Sequence, residues 1–182
     1  RCIYNVLKGN NLTQIELDLC CNKILSTSTP DYYKAALLEG LRLKEESKQE
    51  NKFFLTHFYN RCTRYKINTP TLIDIASAYD GFNRYPNMLI SLAALLGSAG
   101  FPTVIHGCKE VSPKFGITPH NCLIEANKNP RYSLKDVRSK LENPSISWGY
   151  IDQSIYFPEF HDLVQCRSDI VKRPVLATIE KF

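Results

Sequence analysis

The sequence predicts an α/β protein, with a small helical domain over residues 1–69 followed by part of a parallel-sheet α/β domain over residues 70–182. Two patterns predict this. Residues 11–66 carry apolar side chains at helical spacing, whereas after Pro70 short apolar runs alternate with helical patterns. The chain has 182 residues, 43% hydrophobic and 23% charged, which is enough to bury a sizeable core.

Three helices are predicted in the first domain. Thr13 is a candidate N-cap of the first, whose apolar face is expected to hold Ile15, Leu17, Leu19, Ile24 and Leu25. Asp31 can cap the second, with a buried stripe of Tyr33, Ala36, Leu37, Leu41 and Leu43, and with Lys44, Glu45, Glu46 and Lys48 facing water. A third helix over residues 51–65 carries an aromatic stripe, Phe53, Phe54, Phe58 and Tyr59, which favours core packing over base stacking.

Beyond Pro70, strands are predicted at residues 72–76, 103–105 and 146–151, and helices at 87–99, 118–126 and 134–141. Strand-helix-strand units favour a parallel sheet, and ligands bind such sheets at the carboxyl ends of the strands. The loops after Ala76 and Ile105 are therefore the predicted place for chemistry.

Charge and cysteine content limit the partners. A net charge of +5 makes phosphate ligands or nucleic acid plausible, although a solvated basic surface is the simpler explanation. The seven cysteines show no framework spacing, which predicts reduced thiols in a reducing compartment. His106 and Cys108 are a near pair without a second pair, so a zinc site is not expected. No stretch approaches the ~20 apolar residues of a membrane span.

The two predicted loops carry specific motifs. Residues 80–87 read DGFNRYPN and precede a Leu/Ala-rich helix, and TVIHG at 103–107 and SPKFGIT at 112–118 follow. In order and spacing these motifs resemble the anthranilate phosphoribosyltransferases of glycosyltransferase family 3. AALLEGLRLKEES at 35–47 is similar to a helix of the family's amino-terminal domain that takes part in dimerisation. Phe157-Pro158, Arg167 and KRPVLATIE at 172–180 resemble the segment that returns to the sheet.

The resemblance implies the first half of a phosphoribosyltransferase domain of the nucleoside phosphorylase-like kind. Within the family, the likeness favours a divergent cyanobacterial and plastid-type branch; a related bacterial branch is regarded as nucleic-acid binding. The substrate-binding positions that the resemblance implies are Asp80, Gly81, Asn83, Arg84, His106, Gly107, Lys114 and Arg167. It assigns no certain catalytic residue and no metal ligand in this chain.

The phosphate-binding motifs of the family are eroded. Its Gly-Thr-Gly-Gly-Asp loop corresponds here to residues 76–80, ASAYD, and its Asn-Ile-Ser-Thr helix start to residues 86–89, PNML. Glycines that let backbone approach phosphate have gained side chains, and the hydroxyls at the helix start are lost. The family's Lys-His-Gly-Asn is Ile105-His106-Gly107-Cys108. The paired Asp-Glu metal site of the enzymes lies beyond the position equivalent to Phe182.

Several surviving residues have two interpretations. His106 can contact a substrate ring or be satisfied by backbone at a strand end. Lys114 can bind an anion or be solvated at the surface. Arg167 can meet the carboxylate of an aromatic acid or form an ion pair with Asp162 or Asp169.

Three functions follow from the sequence. The favoured one is a degenerate, non-catalytic protein, a pseudoenzyme that serves as a dimerisation, interaction or assembly subunit with a protein partner. The second is a phosphoribosyl or pentosyl transferase with an altered acceptor, which would bind phosphoribosyl pyrophosphate and need Mg²⁺. The third is non-specific nucleic-acid binding. The resemblance suggests the plastid stroma as location, with the cytoplasm as alternative.

Overall fold

The computed structural model describes residues 1–170 and 176–181. By their contacts, residues group into a helical unit, Arg1–Cys62 with Asp162–Phe182, and an α/β unit, Thr63–His161. The contacts thus group the end of the chain with the helices, whereas the sequence-based division assigned it to the α/β domain. The division into domains at residue 69 stays a prediction. Residues 172–175 of the KRPVLATIE motif lie outside the described residues.

After α4, the described part of the chain contains strands as well as helices. In chain order they are α1 (Cys2–Leu7), α2 (Gln14–Leu25), α3 (Asp31–Lys44), α4 (Lys48–Arg61), β1 (Ile73–Ala76), α5 (Leu89–Ser98), β2 (Thr103–Gly107), α6 (Pro119–Glu125), α7 (Leu134–Glu142), β3 (Trp148–Asp152), α8 (Gln153–Tyr156), α9 (Pro158–His161), α10 (Val164–Ile170) and α11 (Leu176–Ile179). The α/β class and all three predicted strands are confirmed.

Helix α2 begins where the sequence predicts. Thr13 is the N-cap: its Oγ1 accepts from Glu16 N, and the Glu16 carboxylate accepts from Thr13 N. The buried face of the helix consists of Leu17, Cys20, Cys21, Ile24 and Leu25. The prediction was wrong for Ile15, which is 84% exposed, and for Leu19. Both lie two positions from Leu17, about 200° around the helix, so they point away from the core.

Helix α3 differs from its prediction in two ways. Pro30 occupies the N-cap position, so Asp31 is the first helical residue and not the cap. The buried stripe holds Leu37, Leu38 and Leu41, while Ala36 and Leu43 are exposed. In α4, which begins at Lys48 and ends at Arg61, Phe54 and Phe58 are buried, as core packing predicts.

Lys44 was expected to face water, and this was wrong. Its side chain is 2% exposed, and its Nζ lies 2.7 Å from Glu50 Oε2. Glu50 also accepts from Leu12 N at 2.9 Å and from Ser47 N at 2.8 Å. Burial raises the pKa of Glu50, but these hydrogen bonds outweigh burial, and the net pKa is lowered. A buried ion pair therefore ties the ends of α3 and α4 together.

The three strands form a parallel sheet in the order β1-β2-β3. Alternate residues of β2 point to opposite faces, because side chains alternate along a strand. Ile105 packs with Ala93 of α5, Leu123 of α6 and Tyr150. Val104 packs on the other side with Val137 and Leu141 of α7. Helices therefore cover both faces, and the carboxyl ends of the strands are left to the loops.

All seven cysteines are present as thiols, with no disulfide among the described residues. Five are buried: Cys2, Cys20, Cys21, Cys108 and Cys166. Cys62 and Cys122 are half-buried. Within the described part of the chain, none of the helices combines the length and the apolar character needed to cross a bilayer.

Candidate functional site

Two loops meet at the carboxyl edge of the sheet. The first follows β1 at residues 77–88, and the second follows β2 at residues 108–118. Phe82 and Ile117 exchange backbone hydrogen bonds of 3.0 Å in both directions, and Gly116 N donates to Asp80 O at 2.9 Å. The structure thus joins the two loops that the sequence predicts to carry the chemistry.

Glycines allow this close approach of the loops. Gly81 has a φ of +75°, a conformation that residues with a side chain rarely adopt. A Cβ on Gly81 would overlap the backbone of Gly116. On Gly116, a Cβ would lie 2.7 Å from Phe82 N and would overlap the amide oxygen of Asn83. In this conformation both glycines are required by loop-loop contact, whether or not a phosphate is bound.

Polar side chains of the two loops engage each other. Asp80 Oδ2 lies 3.5 Å from Lys114 Nζ, and Asn83 Nδ2 donates to Lys114 O at 3.1 Å. Asn87 donates to Ile117 O at 3.1 Å, and its Oδ1 accepts from Leu89 N at 3.2 Å, at the start of α5. Arg84 is exposed in the first loop. The structure therefore brings together Asp80, Asn83 and Lys114, three of the predicted site residues.

Tyr79 fills the space beneath the first loop. Its side chain is 1% exposed, and its hydroxyl lies 2.6 Å from His106 Nδ1 and 2.6 Å from the Tyr156 hydroxyl. Tyr79 stands where the family's motif has glycine. The aromatic ring thus occupies the position at which the resemblance implies backbone close to phosphate.

His106 is enclosed by this arrangement. Its Nε2 lies 3.3 Å from Asp74 Oδ1 on the side away from Tyr79. Burial lowers the pKa of His106, and the nearby Asp74 carboxylate only partly opposes this. The ring is therefore neutral at pH 7. A tautomer that donates from Nε2 to Asp74 and accepts from Tyr79 at Nδ1 satisfies both nitrogens.

Gly107 follows His106, and close packing explains why this position is a glycine. A Cβ there would overlap Ser77 Oγ and would lie 3.6 Å from the Tyr150 hydroxyl.

In the described part of the chain, three buried polar atoms near the strand ends have no hydrogen-bond partner: Ser77 Oγ, Ser112 Oγ and Gln153 Oε1. Each follows a different strand. These atoms are available to a bound polar molecule or to water.

Sequence reasoning missed a pair at the end of β3. His120 Nδ1 lies 2.6 Å from Asp152 Oδ2, and the side chains are 3% and 1% exposed. Asp152 Oδ1 accepts from Ser154 N at 3.0 Å, and the Tyr150 hydroxyl lies 3.4 Å from Oδ2. Burial raises the pKa of Asp152, but the hydrogen bonds from His120 and Ser154 outweigh it, so the pKa is lowered. The strand-end rule could have indicated Asp152, whereas nothing in the sequence indicates His120.

Arg167 belongs to the helical unit. Its Nη1 lies 2.6 Å from Glu180 Oε2 and its Nη2 lies 3.1 Å from Glu180 Oε1, and the two side chains are 2% and 3% exposed. The ion-pair interpretation therefore describes this conformation, although the partner is Glu180 and not Asp162 or Asp169. A substrate-binding role for Arg167, like that of the other predicted site residues, stays a prediction.

The described residues do not fit a divalent cation. They contain no group of three His, Cys, Asp or Glu side chains that could hold a metal ion. In the first loop, the carboxylate of Asp80 is directed to Lys114.

Comparison with known proteins places these observations in context. No family model matches the chain. Anthranilate phosphoribosyltransferase of Syntrophomonas wolfei is 22% identical over 182 residues, which are all of this chain and 51% of the relative. The enzyme of Sulfurisphaera tokodaii is 33% identical over 116 residues, 63% of this chain and 32% of the relative. The chain thus spans about half the length, or less, of the curated relatives that it matches.

Solved structures extend the comparison to the fold. Anthranilate phosphoribosyltransferase of Thermus thermophilus matches 98% of this chain with 53% of its own, at a TM-score of 0.75 and 19% identity. The Saccharomyces cerevisiae enzyme in complex with PRPP and Mg matches with a TM-score of 0.67 at 13% identity, over 98% and 52% of the two chains. The cyanobacterial and plastid-type branch stays a prediction. In sequence and in fold, the chain is anthranilate phosphoribosyltransferase-like over the part of those proteins that it spans.

Proposed function

We propose that this chain keeps the fold of its relatives but does not support phosphoribosyl transfer, and that it serves as a dimerisation or assembly subunit. The observation that carries the first half of the proposal is the position of Tyr79. A phosphate cradle needs bare backbone N–H groups, and here a ring that is 1% exposed occupies the corresponding loop. Its hydroxyl is bound on both sides, by His106 and Tyr156.

The remaining polar groups of the two loops support the same proposal. Lys114, the surviving cation of the second loop, lies 3.5 Å from Asp80. The amide of Asn87, at the start of α5, is used on both sides within the loops. Binding an anion would require these contacts to open, and the lost interactions would subtract from the affinity. The polar groups of the two loops are thus engaged in contacts within the loops.

Support for an assembly role comes from the helical unit. Leu7 of α1 and Tyr32 and Leu43 of α3 are 64%, 78% and 67% exposed. Leu43 lies within the segment at 35–47 that is similar to the family's dimerisation helix. Tyr32 and Leu43 are eleven positions apart on α3, which places them on the same face of the helix, and exposed apolar side chains that share a face are typical of interaction sites. We assign this surface to a protein partner, in the simplest case a second copy of the chain.

The loss of phosphoribosyl transfer is tested by calorimetry. The longest natural protein that contains this chain is titrated with phosphoribosyl pyrophosphate and Mg²⁺. We expect no saturable heat from protein whose circular dichroism is that of a folded chain. Sedimentation velocity of the same preparation, with Leu43→Asp for comparison, tests assembly: the wild type should sediment as an oligomer and the variant as a smaller species. Micromolar, Mg²⁺-dependent binding of phosphoribosyl pyrophosphate that is lost in both His106→Ala and Lys114→Ala would contradict the proposed loss of phosphoribosyl transfer.

A transferase with an altered acceptor is the second candidate. The names of the relatives favour it, because the curated proteins are called anthranilate phosphoribosyltransferases and one solved neighbour is in complex with PRPP and Mg. In that case Asp80, Asn83, Arg84, His106 and Lys114 would face the substrate. The titration separates the candidates, since a flat result from folded protein excludes the transferase.

A further inference from the structure

Helix α5 has its core contacts on one side. Ala93 is fully buried and packs with Ile105 and Tyr150 of the sheet. A Cβ on Gly97, four positions after Ala93, would lie 2.9 Å from Ile146 O, just before β3. Because residues four apart share a face of a helix, this side of α5 is the one that rests on the sheet.

The opposite side of α5 is a stripe of exposed apolar residues. Met88, Leu92 and Leu95 are 61%, 44% and 67% exposed, and Ala99 is exposed as well. Leu92 N donates to Met88 O at 2.9 Å and Ala99 N donates to Leu95 O at 3.0 Å, so the stripe runs the length of the helix. At about 100° per residue, the four positions lie within about 60° around the helix axis. We call these four residues the α5 outer face.

The composition of α5 is that of a helix covered on both sides. Residues 85–108 contain no Asp, Glu, Lys or Arg, although 23% of the sequence is charged. Within α5 itself, Ser91 and Ser98 are the polar residues. A surface helix carries charged or polar residues on its solvent face, whereas a helix that is apolar nearly all round is buried. Single exposed leucines are ordinary, but a continuous apolar stripe marks a contact surface.

One edge of the sheet also has apolar surface left to cover. In β2, four of the five residues are buried, whereas none of the four residues of β1 is. In the described part of the chain, no strand pairs with the outer edge of β1. Parallel strands of α/β proteins are covered on both faces. The α/β unit therefore leaves uncovered both a strand and a helix of the kinds that such proteins bury.

The lengths of the relatives indicate what covers the α5 outer face. The chain spans 51% of the Syntrophomonas wolfei relative and 53% of the Thermus thermophilus structure, so about half of each has no counterpart in it. We propose that the segment of this protein equivalent to that unmatched half packs on the α5 outer face through apolar side chains. The proposal goes beyond the proposed function, because this packing requires neither the presence nor the loss of phosphoribosyl pyrophosphate binding. The two can therefore fail separately.

Met88 is a native reporter of the cover, since it is the single methionine of the 182 residues. Hydrogen peroxide transfers one oxygen atom to an accessible methionine, which gives the sulfoxide and water. Peptide mass spectrometry measures the rate at Met88 in the longest natural protein that contains this chain, folded and in urea. We expect oxidation at least about tenfold slower in the folded protein, because the face is covered.

Two double variants test which surface gives the protection. Leu92→Asp/Leu95→Asp should raise the oxidation rate of Met88 at least about fivefold, because packing would bury two carboxylates. Ile15→Asp/Leu19→Asp is the matched control: it makes the same change in charge at two exposed apolar positions of α2. We expect the control to change the rate less than about twofold. Circular dichroism verifies folding, and Leu95→Ser is the milder variant if the first one unfolds.

Three outcomes would overturn the proposal. Oxidation of Met88 in the folded protein at nearly the rate in urea would show that the face is open to solvent. Protection that disappears on about hundredfold dilution would assign the face to a second copy of the chain. An equal effect of the α5 and α2 variants would show that the protection does not come from the α5 outer face. Protection that is independent of concentration and is lost in the α5 variants alone supports the proposal.

Discussion

The helical unit and the α/β unit bury polar groups in different ways. The helical unit buries two full ion pairs, Lys44 with Glu50 and Arg167 with Glu180, whose side chains are at most 3% exposed. At the strand ends, the α/β unit buries the Asp152 carboxylate with His120, and it also buries a neutral chain of hydrogen bonds through Tyr79 and His106. A buried ion pair is strongly coupled, so removing one partner leaves a bare charge, whereas a neutral chain can lose a member at smaller cost.

The largest effect is expected from breaking an ion pair. Glu50→Ala should lower the free energy of unfolding by about 3–5 kcal/mol, because it leaves the buried ammonium of Lys44 without its carboxylate and the backbone N–H of Leu12 without its acceptor. Urea unfolding measures it. The double variant Lys44→Met/Glu50→Leu serves as control, and it should recover at least half of the loss because no charge remains buried. A loss of less than about 1 kcal/mol in Glu50→Ala would show that the pair is not buried as described.

Loop-loop contact in the α/β unit predicts an intermediate effect. Gly81→Ala should cost about 2–3 kcal/mol, since the new Cβ is strained at positive φ and overlaps Gly116. Gly100→Ala is the matched control: its φ is +86°, but a Cβ there meets open space, so the cost should be about 1 kcal/mol. Urea unfolding compares the two. Equal costs would mean that the loops separate easily.

The smallest effect is a pH dependence. Burial lowers the pKa of His106 from its ordinary 6.5, so below that pH the unfolded chain binds more protons than the folded one. The stability due to the neutral ring is therefore present above pH 6.5 and is lost as the pH falls, by up to about 1 kcal/mol at pH 5.5.

His106→Gln removes this titration, so its stability should change less between pH 7 and 5.5 than that of the wild type. Burial also lowers the pKa of His57, which is unchanged in both proteins and cancels in the comparison. Urea unfolding at the two pH values supplies the measurement. If the stability of wild type and variant changed equally with pH, His106 would titrate with its ordinary pKa, which would contradict an enclosed ring.

Local patterns accounted for most of the fold. The capping box at Thr13 needs only residues within one turn of each other, and the strands are short apolar runs between breakers. The predicted face of α2 failed at Ile15 and Leu19 because hydrophobicity alone does not fix the rotation of a helix, and small buried residues such as Cys20 and Cys21 complete its core side.

Long-range pairs account for what was missed. Glu50 meets Leu12 across 38 positions, and His120 meets Asp152 across 32. Periodicity and composition do not indicate contacts between residues that are this far apart in the sequence. The loop motifs did predict that Asp80, Asn83 and Lys114 lie together, since carboxyl ends of parallel strands share one edge. They could not predict that Tyr79 would turn inward, because a tyrosine in a loop can equally point to solvent.

The distribution of thiols suits spectroscopy. Five thiols will alkylate slowly while the chain is folded because they are buried, namely Cys2, Cys20, Cys21, Cys108 and Cys166. Cys62 and Cys122 are the half-buried ones, and they lie in different units. Brief treatment with a maleimide should thus label one native position in each unit. A donor and an acceptor placed there would follow the distance between the helical and α/β units in solution, without any engineered residue.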